Sequence, residues 1–325
     1  MRAAVFSGPG NPLTIEDIDK PVISDTEMLV KVSHCGVCGT DIHASREGPF
    51  MAPPNTVFGH EFTGEIVVIG SGVATNEFNV GDRVTSLPFN HGETIGLGAV
   101  TGAYAEYVKV DPASAVRLPD ALDGKRGALV EPLAVGLHSV KMADGVAEKS
   151  ILIIGAGPIG LACAIWCRFF GARHVVISEM SPTRIDMAKQ LGFTAFVDPS
   201  EDVLQQFMNI AGREPQVQFE CVGAPGLLQQ CIERAPKFGT IMGIGVCDNP
   251  DTIVPLVAFV KEVTLRWAVA YEKEDFEFTI DMMISDRVNA DAMITHVVTL
   301  DELPEIFEAL RSPSDQCKVL IDLNR

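Results

Sequence analysis

Residues 151–167 read ILIIGAGPIGLACAIWC. The first four form a short apolar run, which is typical of a buried strand, and glycines with a proline interrupt the chain immediately afterwards. The apolar residues that follow have the length of a helix. The stretch is shorter than a membrane span and contains three glycines and a proline, so it does not predict a transmembrane helix. We predict a buried strand, a tight turn and a buried helix.

The glycines of this turn have the spacing of a dinucleotide-binding loop. A GxGxxG pattern is weak evidence by itself, but here it follows an apolar strand and opens a helix, which is the required context. Its glycines permit the tight turn, the approach of the pyrophosphate and close packing of helix on strand. A tight turn without a ligand would have the same pattern. The predicted cofactor-binding residues are Gly155, Gly157, Pro158, Ile159 and Gly160.

Glu179 stands at the end of the next predicted strand, nineteen residues after Gly160. An acidic residue at this place accepts hydrogen bonds from ribose hydroxyls and repels a 2′-phosphate, so we predict NAD rather than NADP. Arg184, five residues later, could weaken that preference. We also expect the ends of two later strands to lie along the cofactor. The alternative is that their glycines are needed only for packing. These positions are Val222, Gly223, Gly243 and Gly245.

Strands and helices alternate from about residue 150 onwards. The predicted strands are 151–154, 175–178, 217–221, 240–244 and 263–268, and the helices between them are 159–170, 183–191, 202–211 and 227–234. Such alternation implies parallel βαβ units with helices on both faces of a sheet. The first third has short runs at 28–32, 66–69 and 104–108, punctuated by glycine and proline, which predict a barrel-like β domain. The fold class is therefore α/β.

The composition is that of an ordinary globular enzyme. The chain has 325 residues, which suits two domains, and its formal net charge is −18. Nucleic acids and anionic membranes bind basic patches, so we expect neither as a partner. The first residues lack the apolar core of a signal peptide, and the eight cysteines do not suggest a disulfide framework. We expect a cytoplasmic protein with reduced thiols.

Cys38 and His60 lie in two glycine-bounded segments that are rich in metal-binding side chains. GVCGTDIH spans residues 36–43 and GHE spans residues 59–61. A thiolate, an imidazole and nearby carboxylates suit a zinc ion with one open position, and Asp41 is suited to orient His60 through its far ring nitrogen. Cys35 and Cys38 also form a CxxC pair, for which half of a four-cysteine zinc site and a redox dithiol are the alternatives.

These motifs together resemble the zinc-dependent medium-chain dehydrogenases, the family of alcohol and polyol dehydrogenases. The resemblance runs from residue 1 to the last predicted strand at 318–321 and includes GDRV at 81–84 and EPLAVGLH at 131–138. It implies a GroES-like catalytic domain at 1–135 and 272–325 and a Rossmann NAD-binding domain at 136–271. It also implies a small alcohol or polyol substrate and a homodimer or homotetramer, in which the last strand of the cofactor domain pairs across a dimer axis.

The resemblance assigns the zinc ligands. Cys38 and His60 correspond to two of them, and Glu131 stands where the family has its third protein ligand, as in the sorbitol dehydrogenase branch. In that branch the glutamate beside the zinc histidine, here Glu61, can ligate the metal while the later glutamate reaches it through water. Both glutamates are therefore candidates for the site.

The resemblance also implies a path for the proton of the alcohol. Thr40 and His43 correspond to a relay that passes through a ribose hydroxyl of the cofactor to water. Helix capping by Thr40 and a surface position for His43 are the alternatives without catalysis. The expected catalytic set is Cys38, Thr40, His43 and His60.

Many relatives carry a lobe with four cysteines and a structural zinc after the GDRV strand. Residues 85–103 contain no cysteine, so we expect one catalytic zinc and no structural zinc. The predicted activity is hydride transfer between an alcohol or polyol, or its ketone or aldehyde, and NAD(H).

Two other functions remain as alternatives. A zinc-free quinone or enoyl reductase of the same fold would lack the set formed by Cys38, His60 and Glu131. A catalytically inactive nucleotide-binding protein would have no need of the proton relay. The presence of both features favours the zinc dehydrogenase.

Overall fold

The computed structural model describes residues 1–74, 76–312 and 316–325. In chain order the strands are β1 (Arg2–Phe6), β2 (Thr14–Asp17), β3 (Met28–Gly36), β4 (Thr56–Val57), β5 (Glu61–Ile69), β6 (Arg83–Ser86), β7 (Phe89–Asn90), β8 (Glu93–Thr94), β9 (Tyr107–Val110), β10 (Ala115–Arg117), β11 (Ser150–Ile154), β12 (His174–Ser178), β13 (Phe196–Val197), β14 (Val217–Glu220), β15 (Thr240–Gly243), β16 (Thr264–Trp267), β17 (Ile294–Val298) and β18 (Lys318–Asp322). The helices are α1 (Gly39–Ala44), α2 (Gly124–Gly127), α3 (Val130–Lys141), α4 (Pro158–Phe169), α5 (Pro182–Gln190), α6 (Val203–Ala211), α7 (Leu227–Arg234), α8 (Pro255–Lys261), α9 (Lys273–Ile284) and α10 (Leu303–Ala309). None of the described helices is long and apolar enough to cross a membrane.

The chain divides into two compact units. Unit 1 comprises Met1–Glu131, Phe276–Ile284 and Ile294–Arg325, and unit 2 comprises Pro132–Asp275 and Ser285–Met293. The two predicted domain boundaries, 135/136 and 271/272, each lie four residues from a junction between the units, at 131/132 and at 275/276.

In the predicted division, segment 285–293 belongs to the catalytic domain. It clusters with unit 2. One reason is that the Arg287 guanidinium stacks on the ring of Phe169, at the end of α4, with 4.6 Å to the ring centroid. This contact joins the segment to a helix of unit 2.

Unit 1 is built around a sheet with the strand order β10-β6-β5-β3-β18-β17, and β9 adds to β3. β17 and β18 pair in parallel, and the remaining neighbours are antiparallel. A second sheet has the order β2-β1-β4. The predicted strand at 104–108 begins later, at Tyr107, because Ala103 and Tyr104 donate instead to the main chain of residues 58–59.

Aromatic rings form the centre of the unit 1 core. Phe6 and Phe58 lie 5.2 Å apart, Phe58 stacks on Phe307 at 6.0 Å, and Tyr104 meets Phe307 edge-on at 6.4 Å. All four side chains are fully buried, and such ring pairs stabilise beyond the area that they bury. The cluster therefore anchors the backbone that leads to His60.

Unit 2 contains a parallel sheet with the strand order β13-β12-β11-β14-β15-β16. The chain order reverses beside β11, as in doubly wound dinucleotide-binding folds, whose ligands lie at the carboxyl ends of the strands near that switch point. The predicted α/β class with a Rossmann sheet is confirmed. β13 and α8 are among the elements that were not predicted: β13 has only two residues, and α8 buries none of its residues, so neither shows a clear periodicity.

Candidate active site

The glycine turn lies between β11 and α4, at the carboxyl end of a central strand. Gly155 has a φ of 94°, which glycine adopts without strain. A Cβ at Gly160 would lie 1.9 Å from the Gly155 carbonyl oxygen, whereas a Cβ at Gly157 would meet nothing within 4 Å. Gly157 caps α4, and Pro158 and Ile159 begin the helix. This geometry suits a pyrophosphate bound to the N–H groups at the start of α4.

Glu179 follows β12 and folds back over the glycine turn. Its Oε2 accepts a hydrogen bond from Ala156 N at 2.8 Å, and Oε1 accepts from Met180 N at 2.8 Å and Ser181 N at 2.9 Å. Arg184 Nη1 lies 4.0 Å from Oε2. The structure thus brings the predicted ribose-binding carboxylate to the turn, with the guanidinium beside it.

The carboxyl ends of β14 and β15 carry the remaining predicted cofactor residues, Val222, Gly223, Gly243 and Gly245. A Cβ at Gly245 would lie 2.1 Å from Gly223 N, and a Cβ at Gly223 would lie 2.4 Å from Val246 O. Close approach of the main chain therefore requires glycine at 223 and 245 whether or not a ligand binds. Val222 is half exposed beside them.

Cys38 is the N-cap of α1, which follows β3. Its Sγ accepts a hydrogen bond from Thr40 N at 3.4 Å, and Asp41 Oδ2 accepts one from Cys38 N at 3.1 Å. This reciprocal capping fixes the start of the helix. Thr40 and His43 are half-buried on α1, and the buried Nδ1 of His43 has no hydrogen-bond partner among the described residues.

The Asp41 carboxylate joins the two predicted metal-binding segments. In addition to its contact with Cys38, Asp41 places Oδ1 3.3 Å from His60 Nδ1. The Tyr104 hydroxyl donates to Asp41 Oδ2 at 2.6 Å, and Asp41 and Tyr104 are both fully buried. The sequence motifs indicated Asp41 and His60 as a pair but gave no sign of Tyr104.

The surroundings of His60 favour a positive charge. Burial lowers the pKa of His60, but the charges of the Asp41 carboxylate and the Cys38 side chain raise it well above 6.5. Anionic groups that stabilise a protonated imidazole also stabilise a metal cation beside a neutral one. A cysteine sulfur and an imidazole are zinc donors, so the pair formed by Cys38 and His60 fits a zinc ion.

Glu61 forms a buried ion pair with Lys318. Lys318 Nζ donates to both carboxylate oxygens at 2.6 Å and to Val37 O at 3.1 Å, and both charged side chains are almost fully buried. Burial lowers the pKa of Lys318, but the charges of Glu61, Cys38 and Glu131 raise it above its usual value. The lysine is therefore charged. Sequence reasoning missed it, because only a charge at the start of an apolar strand marks its position.

Glu131 is the other predicted glutamate ligand. It is buried in the first turn of α3, close enough for its charge to act on Lys318. Within the described residues, no group of three or more histidine, cysteine, aspartate and glutamate side chains is arranged to hold a metal ion. A third protein ligand beside Cys38 and His60 would come from Glu131, or from Glu61 released by Lys318.

Residues 85–103, which lack cysteine, include the β7–β8 hairpin and a loop packed on the segment that precedes His60. Ala103 N donates to Gly59 O at 2.9 Å. A Cβ at Gly96 would lie 2.7 Å from the same carbonyl oxygen. Main-chain contacts therefore hold this segment in place. The hairpin's His91 makes surface contacts, with Nδ1 3.3 Å from Asp111.

Comparisons with known proteins agree with this architecture. The alcohol dehydrogenase GroES-like domain model matches residues 24–120, and the zinc-binding dehydrogenase model matches residues 158–285. The first match confirms the predicted GroES-like domain.

The similarity to known proteins extends over nearly the whole chain. (R,R)-butanediol dehydrogenase of Bacillus subtilis is 32% identical and covers 100% of both chains. Sorbitol dehydrogenase of Ovis aries is 31% identical over 94% of this chain and 91% of its own. The structure of a putative zinc-binding dehydrogenase from Sinorhizobium meliloti, bound to NADP, has a TM-score of 0.89 at 29% identity over 99% of both chains. The chain therefore belongs to the zinc-type medium-chain alcohol and polyol dehydrogenases, oxidoreductases that transfer hydride between an alcohol or polyol and a ketone.

Proposed function

We propose that the chain oxidises a secondary alcohol of a small diol or polyol, with zinc held by Cys38, His60 and Glu131 and NAD held at the glycine turn. The Asp41 carboxylate carries this proposal, because it contacts both Cys38 N–H and the His60 ring and fixes two zinc donors relative to each other. Zinc bound there would act as a Lewis acid that lowers the pKa of the alcohol. The side chains around the zinc would orient it and carry the proton away.

Asp41 also selects the ring nitrogen that would bind the metal. When the Nδ1–H of an imidazole donates a hydrogen bond to a carboxylate, the lone pair of its other nitrogen, Nε2, is free to bind a metal. His60 Nδ1 is the nitrogen beside Asp41, so Nε2 is the proposed ligand atom. Cys38 would bind through Sγ, which accepts a hydrogen bond from Thr40 N.

Glu131 is the proposed third ligand. Both oxygens of Glu61 accept hydrogen bonds from Lys318, and breaking a buried ion pair costs about 3–5 kcal/mol. Glu131 lies in the same unit, buried, and its charge reaches Lys318. A thiolate, a neutral imidazole and one carboxylate would make the zinc site formally neutral.

Thr40 and His43 are the proposed path for the proton of the alcohol. Both lie on the helix that Cys38 caps. A hydroxyl both accepts and donates hydrogen bonds, and an imidazole takes a proton at one nitrogen while releasing it at the other. The buried Nδ1 of His43, which has no hydrogen-bond partner among the described residues, would take up the proton at the end of this path.

Glu179 supports NAD as the proposed cofactor. Its carboxylate lies over the glycine turn and would repel a 2′-phosphate. Arg184 is the group that would attract such a phosphate, and a similar structure contains NADP. We propose that NAD is preferred, because the Arg184 guanidinium lies beside the Glu179 carboxylate and its charge is already partly balanced.

A short vicinal diol is the proposed substrate class. Phe50 and Met51, which follow α1, expose apolar side chains that suit methyl groups better than a chain of hydroxyls. A similar protein is a butanediol dehydrogenase. We expect zinc-loaded protein to oxidise butane-2,3-diol with NAD at a kcat/KM at least about tenfold above that for sorbitol, measured by absorbance of the reduced cofactor. Preference for sorbitol would contradict the diol, and no turnover of any alcohol would contradict the function.

Glu179→Gln tests the preference for NAD over NADP in the same assay. Glutamine keeps an acceptor for Ala156 N but removes the negative charge. Like charges in contact cost several kcal/mol, so the ratio of kcat/KM with NAD to that with NADP should fall at least about tenfold. An unchanged ratio would place Glu179 away from the ribose.

We propose a homo-oligomer that forms through β16. This strand is at the edge of the unit 2 sheet and pairs with β15 on one side, so its other side can accept a strand. Phe259, Trp267 and Val269 in and near it are 78%, 64% and 85% exposed, and apolar patches of this kind mark interfaces. Light scattering should give at least twice the chain mass of 34.9 kDa. A monomeric mass would contradict the proposal.

A further inference from the structure

Tyr104 makes a buried contact that the proposed chemistry does not use. Its hydroxyl donates to Asp41 Oδ2 at 2.6 Å, across 63 residues of sequence. Burial, and then the Asp41 carboxylate, raise the pKa of Tyr104 well above 10, so the phenol keeps its proton and is the donor. A neutral phenol thus holds a fully buried carboxylate.

The carboxylate that Tyr104 holds has two other tasks. Asp41 Oδ2 also accepts from Cys38 N at 3.1 Å, and Oδ1 lies 3.3 Å from His60 Nδ1. Asp41 is fully buried, so solvent cannot supply a donor in place of the phenol. Without the phenol, Cys38 N would be the one remaining hydrogen-bond donor to this carboxylate among the described residues. The carboxylate beside the imidazole would then be less restrained in its rotation.

Tyr104 also restrains the backbone that carries His60. Tyr104 N donates to Phe58 O at 2.9 Å. A Cβ at Gly59 would lie 2.5 Å from Tyr104 Cδ1, and Gly59 has a φ of 97°, so glycine is required where the ring packs. One residue therefore contacts both the carboxylate behind the zinc donors and the main chain that leads to one of them.

We propose that Tyr104 is a positioning residue, which holds Asp41 and segment 58–59 so that Cys38 and His60 are oriented for zinc before the metal binds. The inference rests on the proposed zinc site. It implies that the phenolic oxygen contributes to metal affinity although it touches neither metal nor substrate. Groups that orient metal ligands typically change affinity by about 10–100-fold when they are removed.

Tyr104→Phe tests this inference, because it removes one oxygen and keeps the ring. Zinc-free protein is titrated with zinc against a competing chelator, and the visible spectrum of the cobalt(II) form is recorded. We expect the zinc dissociation constant to rise about tenfold, with altered cobalt bands. Tyr107→Phe is the matched control, since Tyr107 begins β9 near by and its ring contact with Lys20 stays in place. It should bind zinc within about twofold of the wild type.

A double-mutant cycle separates orientation from packing. In an Asp41→Asn background, Tyr104→Phe should have a much smaller effect on zinc affinity, because its target carboxylate is gone. An equal loss in both backgrounds, or unchanged affinity and cobalt spectrum in the single variant, would overturn the role of Tyr104. Wild-type protein that binds no zinc, or Cys38→Ser that binds it equally well, would overturn the zinc site and the role of Tyr104 with it.

Discussion

Replacement of Cys38 by serine is expected to lower kcat/KM for the alcohol at least about a thousandfold, which corresponds to about 4 kcal/mol of transition-state stabilisation. A serine hydroxyl stays protonated near neutral pH and is a poor zinc donor, whereas a cysteine sulfur binds as a thiolate. Zinc content should fall in parallel. Binding of NAD should stay within about twofold, because the glycine turn belongs to the other unit.

Cys35→Ser is the matched control for this prediction. It removes the other thiol of the CxxC pair, whose side chain is fully buried in β3. The variant should keep its zinc and most of its turnover, with a modest loss of stability. A Cys38→Ser variant with full activity would contradict the ligand assignment. Equal inactivation of both variants would favour the redox dithiol.

Replacement of Lys318 by methionine is expected to lower the free energy of unfolding by about 3–5 kcal/mol. The variant leaves the Glu61 carboxylate buried without the ammonium group that contacts both of its oxygens. Urea unfolding of the zinc-free protein measures the change, so that metal affinity does not contribute. Lys189→Met, which breaks an exposed ion pair with Asp186, should cost less than about 0.5 kcal/mol.

A double replacement shows whether the buried charge is the cause. Lys318→Met combined with Glu61→Leu removes both charges, and most of the lost stability should return, because an apolar pair of similar volume often replaces a buried ion pair without cost. Loss of under about 1 kcal/mol in the single variant would show that Glu61 finds another partner. Zinc titration of the single variant would also show whether the released Glu61 changes metal binding.

The parts of the fold that repeat a local pattern could be predicted from the sequence. The parallel sheet of unit 2 follows from apolar runs that alternate with helical segments, and the turn after β11 follows from its glycines. β13 is too short to show a period. α8 packs Val257 and Ala258 against the core but exposes Leu256, Phe259 and Val260, so it lacks the one-sided pattern by which helices are recognised.

Of the candidate site, too, the local motifs could be predicted from the sequence, and the contacts between distant residues could not. Cys38, Asp41 and His60 belong to two short motifs, and the structure places the Asp41 carboxylate against both Cys38 N and the His60 ring. Tyr104 and Lys318 lie 63 and 257 residues along the chain from their partners Asp41 and Glu61. Such contacts depend on tertiary packing, and a single tyrosine or lysine in a strand-like segment does not indicate its partner. The choice between the two glutamates depends on Lys318 and therefore could not be made from the motifs.

The loop at residues 95–103 has a consequence for how this protein withstands changes in its environment. It holds the segment before His60 through main-chain hydrogen bonds and close glycine contacts, and it contains no thiol. Peroxide has no cysteine to attack there, and scarcity of metal removes none of these bonds. The segment before His60 would therefore keep its conformation whether or not a metal is bound.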